Sequence, residues 1–376
     1  MEAPAKQIEQ FDKSDGSPAN STPVTDGSRI VSYFGSCGLF CYDLHGKELW
    51  RYELPCVTTK MDFGTGVSPI IADGLVFLVR DETKQSRIMA INLADGKLVW
   101  ERKRESTSAF CTPVVCETPN SKQIVAAGYG KMIAYDLKTG EEVWTVKGMP
   151  SAACTTPVVV GQTLYFAGWS PGDDMKLPSF EMLLKMAGDE KLGYLTREGL
   201  SKTGMKGSFE SQDTNSDGKI TKDEWDKTVQ FIGVSRNSAF ALKLGGTGDV
   251  TQTHILWKKT RGLPYVPSGI VYQGQYVLVK DGGIVTSYDA TTGEEIFVRR
   301  LGVSSQYYAS PVAANGYLYF TSLNDGVVTV MKAGSRSAEI VVKNPKLGEK
   351  VAATPAIAED TIYLRTAGHL YAFGDK

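Results

Sequence analysis

One interval dominates this chain. A Ser/Thr-Pro-like step stands at Thr22-Pro23, Ser68-Pro69, Thr112-Pro113, Thr156-Pro157, Pro267-Ser268, Ser310-Pro311 and Thr354-Pro355. Counted on the prolines, the spacings are 46, 44, 44, 110, 44 and 44 residues. The long spacing is one period plus 66 residues, so one repeat carries an insertion. Seven periods and that insertion account for 374 of the 376 residues. A fixed period of this length means that each unit buries its faces against its neighbours.

Within each period four short β-rich runs follow one another. The second reads Leu75-Val76-Phe77-Leu78 or Leu164-Tyr165-Phe166-Ala167. The third ends in an Asx-Gly turn, as in Ala134-Tyr135-Asp136-Leu137-Lys138-Thr139-Gly140. There the Asp side chain caps backbone N–H groups and the Gly supplies positive φ. The fourth ends on a bulky residue, Trp50, Trp100, Trp144, Trp257 or Phe297, suited to wedge between units. Four strands in about 44 residues is one propeller blade. The reading is therefore all-β: a seven-bladed β-propeller with four-stranded blades and a small α-helical insertion. Residues 1–169 hold blades 1–4, residues 170–236 the insertion, and residues 237–376 the rest of blade 4 through blade 7. Only 21 residues follow Pro355, enough for three strands. Phe11 precedes Pro23 by 12 residues, close to the 13 that separate Trp100 from Pro113, so residues 8–11 are expected to close the last blade.

Charge and cysteine usage exclude several classes. Lys plus Arg is 41 and Asp plus Glu is 42, which leaves no basic excess to neutralise nucleic-acid phosphates. No apolar run approaches the roughly 20 residues that span a bilayer. The first residues, Met1-Glu2-Ala3-Pro4-Ala5-Lys6, carry no apolar core, so no signal peptide is present in the chain as it stands. The six cysteines form no C-x-x-C pair, and buried free thiols on strands are expected. Of the three histidines, none falls into a Ser-His-Asp arrangement by spacing.

The A-x-D-x-x-T-G-x-x-x-W run from Ala134 to Trp144 resembles the repeats of PQQ-like β-propeller proteins. That family includes quinoprotein dehydrogenases, which hold pyrroloquinoline quinone and calcium, and exported scaffold propellers without a cofactor. Some similar propellers carry an EF-hand insertion. The chain lacks the adjacent cysteine pair of the dehydrogenases and a C-x-x-C-H haem motif, so no pyrroloquinoline quinone is expected. The resemblance implies an exported protein, periplasmic or extracellular.

The insertion turns to a helical pattern, with Phe180, Leu183, Leu184 and Met186 at helical spacing. Residues 213–224 read DTNSDGKITKDE, which matches an EF-hand loop at each ligand position. Asp213, Asn215 and Asp217 stand at positions 1, 3 and 5. Lys219 offers its carbonyl, Thr221 its hydroxyl or a water, and Glu224 a bidentate carboxylate. Gly218 permits the sharp turn. One Ca²⁺ is expected here. Upstream, residues 188–199 align as a partner loop whose ligand positions read Gly188, Glu190, Leu192 and Gly199, too few oxygens for calcium, and Leu195 is expected to pair with Ile220.

Propellers bind ligands at a mouth of the central channel, built from the loops before each first strand and between strands two and three. These bring Asp62, Phe63, Tyr265, Tyr307 and Tyr308 in one set. The other brings Arg80, Tyr129, Trp169, Lys280, Asp281 and Arg365. Aromatic rings mixed with charges suit a protein, peptide or glycan. The reading is a non-enzymatic binding or scaffold propeller with one calcium loop. The alternative is an enzyme at the mouth, a quinone-dependent dehydrogenase or a carbohydrate-active enzyme.

Overall fold

The computed structural model describes residues 7–11, 16–59, 63–83, 85–106, 109–171, 177–205 and 209–374. Seven antiparallel sheets follow one another as the blades of a propeller. Blade 1 comprises Val24–Thr25, Arg29–Phe34, Gly38–Asp43 and Glu48–Glu53. Blade 2 comprises Ile70–Ala72, Leu75–Arg80, Arg87–Asn92 and Leu98–Lys103. The pattern continues to blade 7, for which three strands are described: Ala356–Ala358, Thr361–Arg365 and Leu370–Gly374. Six blades share a register shift where the third strand meets the fourth, for example at Ala90/Ile91 and Ala134/Tyr135. A bulge at that place strengthens the twist that a blade needs.

The second strands are buried on both faces because each blade is sandwiched. Val76, Phe77, Leu78 and Val79 are fully inaccessible. Three of the four terminal indoles bond to the neighbouring blade as the sequence suggests, whereas Trp144 Nε1 donates to Gln123 Oε1 of its own blade at 2.8 Å. Trp50 Nε1 donates to Leu93 O at 2.9 Å, Trp100 Nε1 to Leu137 O at 3.1 Å, and Trp257 Nε1 to Ala290 O at 3.0 Å. The turn glycine under each ring is obligatory in two ways. Gly140 has φ 71°, and a Cβ there would meet the Trp100 ring at 2.5 Å.

The inner strands are laced by a belt. Thr22 N donates to Ser68 Oγ, Ser68 N to Thr112 Oγ1, Thr156 N to Ser268 Oγ, Ser268 N to Ser310 Oγ and Ser310 N to Thr354 Oγ1. The belt corrects the repeat register in blade 5. Ser268 occupies the Ser/Thr position, so Gly269 and not Pro267 stands where the other blades have proline. A Cβ on Gly269 would meet the Tyr276 ring at 2.5 Å, which is why the position carries no side chain. A second addition to the expected plan is Gly248–Asp249, which pairs in parallel with Glu142–Lys147 as a fifth strand on blade 3.

The expected pairing of residues 8–11 with the last blade is not what the structure has. They form no strand and lie on blades 1 and 2. Glu9 N donates to Ser36 Oγ at 3.0 Å, and Glu9 Oε2 accepts from Thr65 N at 3.0 Å and Thr65 Oγ1 at 2.8 Å. A buried carboxylate needs such donors. The Gly64 backbone lies against Phe11.

Between the second and third strands of blade 4, Thr163–Gly168 and Ser238–Lys243, the chain leaves the ring. It forms α1 (Phe180–Ala187), α2 (Arg197–Lys202), α3 (Phe209–Gln212) and α4 (Lys222–Gly233). Ser179 Oγ caps α1 by accepting from Met182 N, and Gly188 at φ 78° ends it. Phe180, Leu183 and Leu184 turn inward with Leu195, Ile220 and Trp225, whereas Met186 is exposed. Leu195 and Ile220 form the expected antiparallel bridge, with N–H···O distances of 2.9 and 3.0 Å. Among the described residues no helix is long and apolar enough to cross a membrane.

Candidate functional site

Four of the mouth residues singled out by position meet in one cleft of about 520 Å³. Trp169 leaves the second strand of blade 4, Tyr265 precedes the first strand of blade 5, and Lys280 and Asp281 leave the second strand of blade 5. Trp169 is 39% exposed and meets Tyr265 edge-to-face, with ring centroids 5.5 Å apart and planes at 89°. Asn237, Thr260, Arg261 and Leu263 complete the lining. No motif in the sequence marks them, although Thr260, Arg261 and Leu263 belong to the same loop as Tyr265. An aromatic corner beside a cation and a carboxylate can hold an apolar ring face and orient a polar group beside it.

The other expected residues do other work. Asp62 lies outside the described residues. Phe63 packs edge-to-face on Phe110 at 6.0 Å. Arg80 is buried, pairs with Glu82 (Nε–Oε1 3.2 Å) and donates to the Pro55 carbonyl. Tyr307 is buried, its N–H bonds Asp281 Oδ1 at 2.9 Å, and burial pushes its hydroxyl up to about 12. Its backbone N–H therefore fixes the Asp281 carboxylate, while its hydroxyl donates to Val303 O at 3.3 Å. Tyr308 is half-buried and Arg365 exposed, and neither lines the cleft. Tyr129, held at φ 50°, is turned to the insertion.

The insertion is seated on this mouth. Tyr129 stacks on Phe231 of α4, with centroids 5.7 Å apart and planes 16° apart. Arg236 N donates to Met149 O at 2.9 Å. The two stems of the insertion clamp each other: Ser170 N donates to Asn237 Oδ1 at 2.8 Å, and the Ser170 and Ser235 hydroxyls lie 2.9 Å apart. Trp169 and Asn237, on the stems, are walls of the cleft.

The loop of residues 213–224 is curled on its own carboxylates. Asp213 accepts from Asp217 N at 3.1 Å and Gly218 N at 2.8 Å, and Asn215 Oδ1 from Asp217 N at 2.9 Å. Ser216 and Gly218 take φ 61° and 81° to make the turn. Glu224 Oε1 accepts from Thr214 N at 2.9 Å and Oε2 from Thr221 N at 2.9 Å, so one carboxylate closes both ends of the loop. Burial alone would raise the Glu224 carboxyl, but the donors of Thr221 and Thr214 hold it below the usual range. Among the described residues no three His, Cys, Asp or Glu side chains converge as a metal cluster. In the upstream loop Asp189 Oδ2 is taken by Thr196 N at 2.7 Å and Thr196 Oγ1 at 2.9 Å.

All six cysteines are free thiols, and burial pushes those of Cys111 and Cys116 up to about 12. His369 Nδ1 pairs with Glu349 at 2.6 Å and His254 Nδ1 with Thr253 at 2.8 Å, both away from the cleft.

The profile of a family described as outer membrane protein assembly factor BamB matches residues 6–168 and 247–374. The chain is 29% identical over 107 residues to the dehydrogenase subunit of the quinone alcohol dehydrogenase of Acetobacter aceti, covering 26% of this chain and 14% of that protein. For the corresponding subunit of Gluconobacter oxydans the figures are 30% over 114 residues, 28% and 14%. The chain thus spans 14% of the length of these curated relatives. The crystal structure of BamB from Moraxella catarrhalis superposes with a TM-score of 0.59 at 14% identity, over 94% of this chain and 84% of that one. The computationally designed Ika8 protein gives 0.60 at 12% identity, over 98% and 87%. At these identities the two structures speak to the fold alone.

Proposed function

The chain belongs to the propeller family described as outer membrane protein assembly factor BamB, and from that premise we propose that it is a non-enzymatic binding propeller whose calcium-held insertion braces a peptide cleft. The observation that carries the reading is the cleft at the foot of the insertion, walled by Trp169, Tyr265, Lys280 and Asp281. The Trp169–Tyr265 corner would take an aromatic or aliphatic side chain. Lys280 and Asp281 would orient the polar groups of an extended segment.

The residues of the loop fit calcium. Asp213, Asp217 and Glu224 offer three carboxylates, and Asn215, Thr221 and the Lys219 carbonyl complete an oxygen-only shell. Glu224 already ties the start of the loop to its end. On binding, the carboxylates would exchange their bonds to loop N–H groups for the ion. Family membership favours export, where millimolar calcium would keep a weak site filled, with the ion acting as a staple.

The stretch shared with quinone alcohol dehydrogenases favours a second reading, a quinone-dependent enzyme. Against it, the chain has no adjacent cysteine pair. Titration with pyrroloquinoline quinone and calcium decides between them. The binding reading expects no stoichiometric complex and no alcohol-dependent dye reduction.

A peptide array probed with the calcium-loaded protein, followed by titration of the best peptide, tests the proposal. Wild type should bind, and Trp169→Ala should weaken binding at least ten-fold with its melting temperature unchanged. Equal affinity of the two proteins, or preference for a glycan array, would overturn the peptide cleft.

A further inference from the structure

Two junctions of the ring occupy equivalent places in the repeat. The second strand of blade 1, Arg29–Phe34, aligns with that of blade 4, Thr163–Gly168, so Gly35 and Ser36 correspond to Trp169 and Ser170. Blades 2 and 5 align at a constant offset of 200 residues, from the belt serines Ser68 and Ser268 to the second strands Leu75–Arg80 and Gln275–Lys280. Thr65 thereby corresponds to Tyr265, Arg80 to Lys280 and Asp81 to Asp281. The cleft at the insertion is the blade 4–5 counterpart of the place between blades 1 and 2.

Between blades 1 and 2 that place is filled by residues 7–11. Glu9 N donates to Ser36 Oγ, and the Glu9 carboxylate accepts from Thr65 N and Thr65 Oγ1. Gly35 makes the room: a Cβ there would meet Glu9 Oε2 at 2.5 Å. A void of only about 10 Å³ remains beside Tyr33, Thr65 and Arg80. Burial raises the Glu9 carboxyl, and the Thr65 bonds and the Arg80 charge draw it part of the way back. Between blades 4 and 5 the same place is an open cleft with a cation left over. Arg80 is met by Glu82 at 3.2 Å, but the counterpart of Glu82 is Gly282. Among the described residues neither Lys280 nor Arg261 has an ion pair. The lining holds these two cations and one carboxylate, and Asp281 Oδ1 already accepts from Tyr307 N at 2.9 Å.

We propose that the cleft between blades 4 and 5 takes a partner segment anchored by a Glu or Asp side chain, whose carboxylate meets Lys280 while an apolar neighbour lies on the Trp169–Tyr265 corner. The assignment rests on the peptide cleft and names the side chain that the segment must carry. The chain's own Glu9 shows the mode, a carboxylate brought to the equivalent junction by a short run of chain with Phe11 close by against Gly64. That run is tied to Ser36 and Thr65 and is not available to the second junction. Lys280 is half-buried, so its charge is screened less than one on open surface. A bond between an ammonium and a carboxylate is roughly twice as strong as a neutral one. With two cations against one carboxylate, the lining favours an acidic segment over a basic one.

The probes are two capped, labelled peptides titrated by fluorescence anisotropy into the full chain. One is Gln-Ile-Glu-Gln-Phe, the sequence of residues 7–11, and the other has Gln in place of its Glu. The Glu peptide should bind wild type at least ten-fold more tightly than the Gln peptide. Lys280→Gln should bring the two to equal affinity with the melting temperature unchanged, and Lys280→Arg should keep the preference. Trp169→Ala should weaken both alike. Absence of binding by the Glu peptide, equal affinity of the two for wild type, or a preference that survives Lys280→Gln would overturn the acidic anchor. If Trp169→Ala still weakens both peptides, the peptide cleft stands without the anchor; indifference of both to Trp169→Ala would remove the cleft itself. Tighter binding of the Glu peptide after Asp173→Asn with Asp174→Asn would give Lys280 a carboxylate of the chain's own insertion and overturn the partner segment.

Discussion

Tyr129 of blade 3 and Phe231 of α4 lie face to face, 5.7 Å between ring centroids and 16° between planes. This contact makes the helical insertion part of the propeller mouth. The stack, with the Arg236–Met149 bond and the Ser170–Asn237 clamp, couples the two.

Phe231→Ala should release α4 from blade 3. Aromatic pairs contribute roughly 0.5–1.5 kcal/mol beyond area burial. Hydrogen exchange should therefore quicken across residues 222–237 and around Tyr129, with little change in blades 5 to 7. Uniform exchange in the variant and the wild type would show that the stack holds nothing.

The propeller itself depends on its indole wedges. Trp100 is 6% exposed and donates to Leu137 O, whereas its neighbour Val99 is 49% exposed. Trp100→Ala should lower stability by about 3–5 kcal/mol in denaturant titration, and Val99→Ala by less than about 0.5 kcal/mol. Similar midpoints for the two variants would contradict the wedge role.

How much of this was legible follows from what local spacing can carry. The blades and the indole wedges repeat at a fixed interval, and the Leu195–Ile220 bridge follows from aligning residues 188–199 with residues 213–224, so position alone exposed them. Blade 5 misled because Pro267 imitates the step two residues early, and only the Ser268 bonds reveal the true register. Residues 8–11 misled for a different reason. Phe11 has the spacing of an outer-strand aromatic, but the bonds of Glu9 to Ser36 and Thr65 tie the segment to blades 1 and 2. The cleft was half legible: Trp169, Tyr265, Lys280 and Asp281 lie in the loop sets that face the mouth. Tyr129–Phe231 joins elements with no shared period, and nothing in the spacing marks it.

Glu9 should make the seating of the N-terminal segment pH-dependent. Burial raises its carboxyl above the ordinary value, and the Thr65 bonds offset only part of the shift. The folded state thus holds the proton more tightly than the unfolded state. That contribution is fully present below the unfolded carboxyl value and is lost as pH rises through the folded one. Protection of the Thr65 amide should be greater near pH 4 than at pH 7, and Glu9→Gln should flatten the difference. The opposite slope in wild type would contradict the assignment.

Calorimetric titration of calcium into the wild type and into Glu224→Gln tests most directly the claim that the insertion is a calcium-held brace. The account predicts one site in wild type, of affinity on the order of 10⁻⁴ to 10⁻³ M, with magnesium competing poorly. Glu224→Gln should bind calcium at least ten-fold more weakly. Equal binding by the two proteins, two sites in wild type, or none would contradict it.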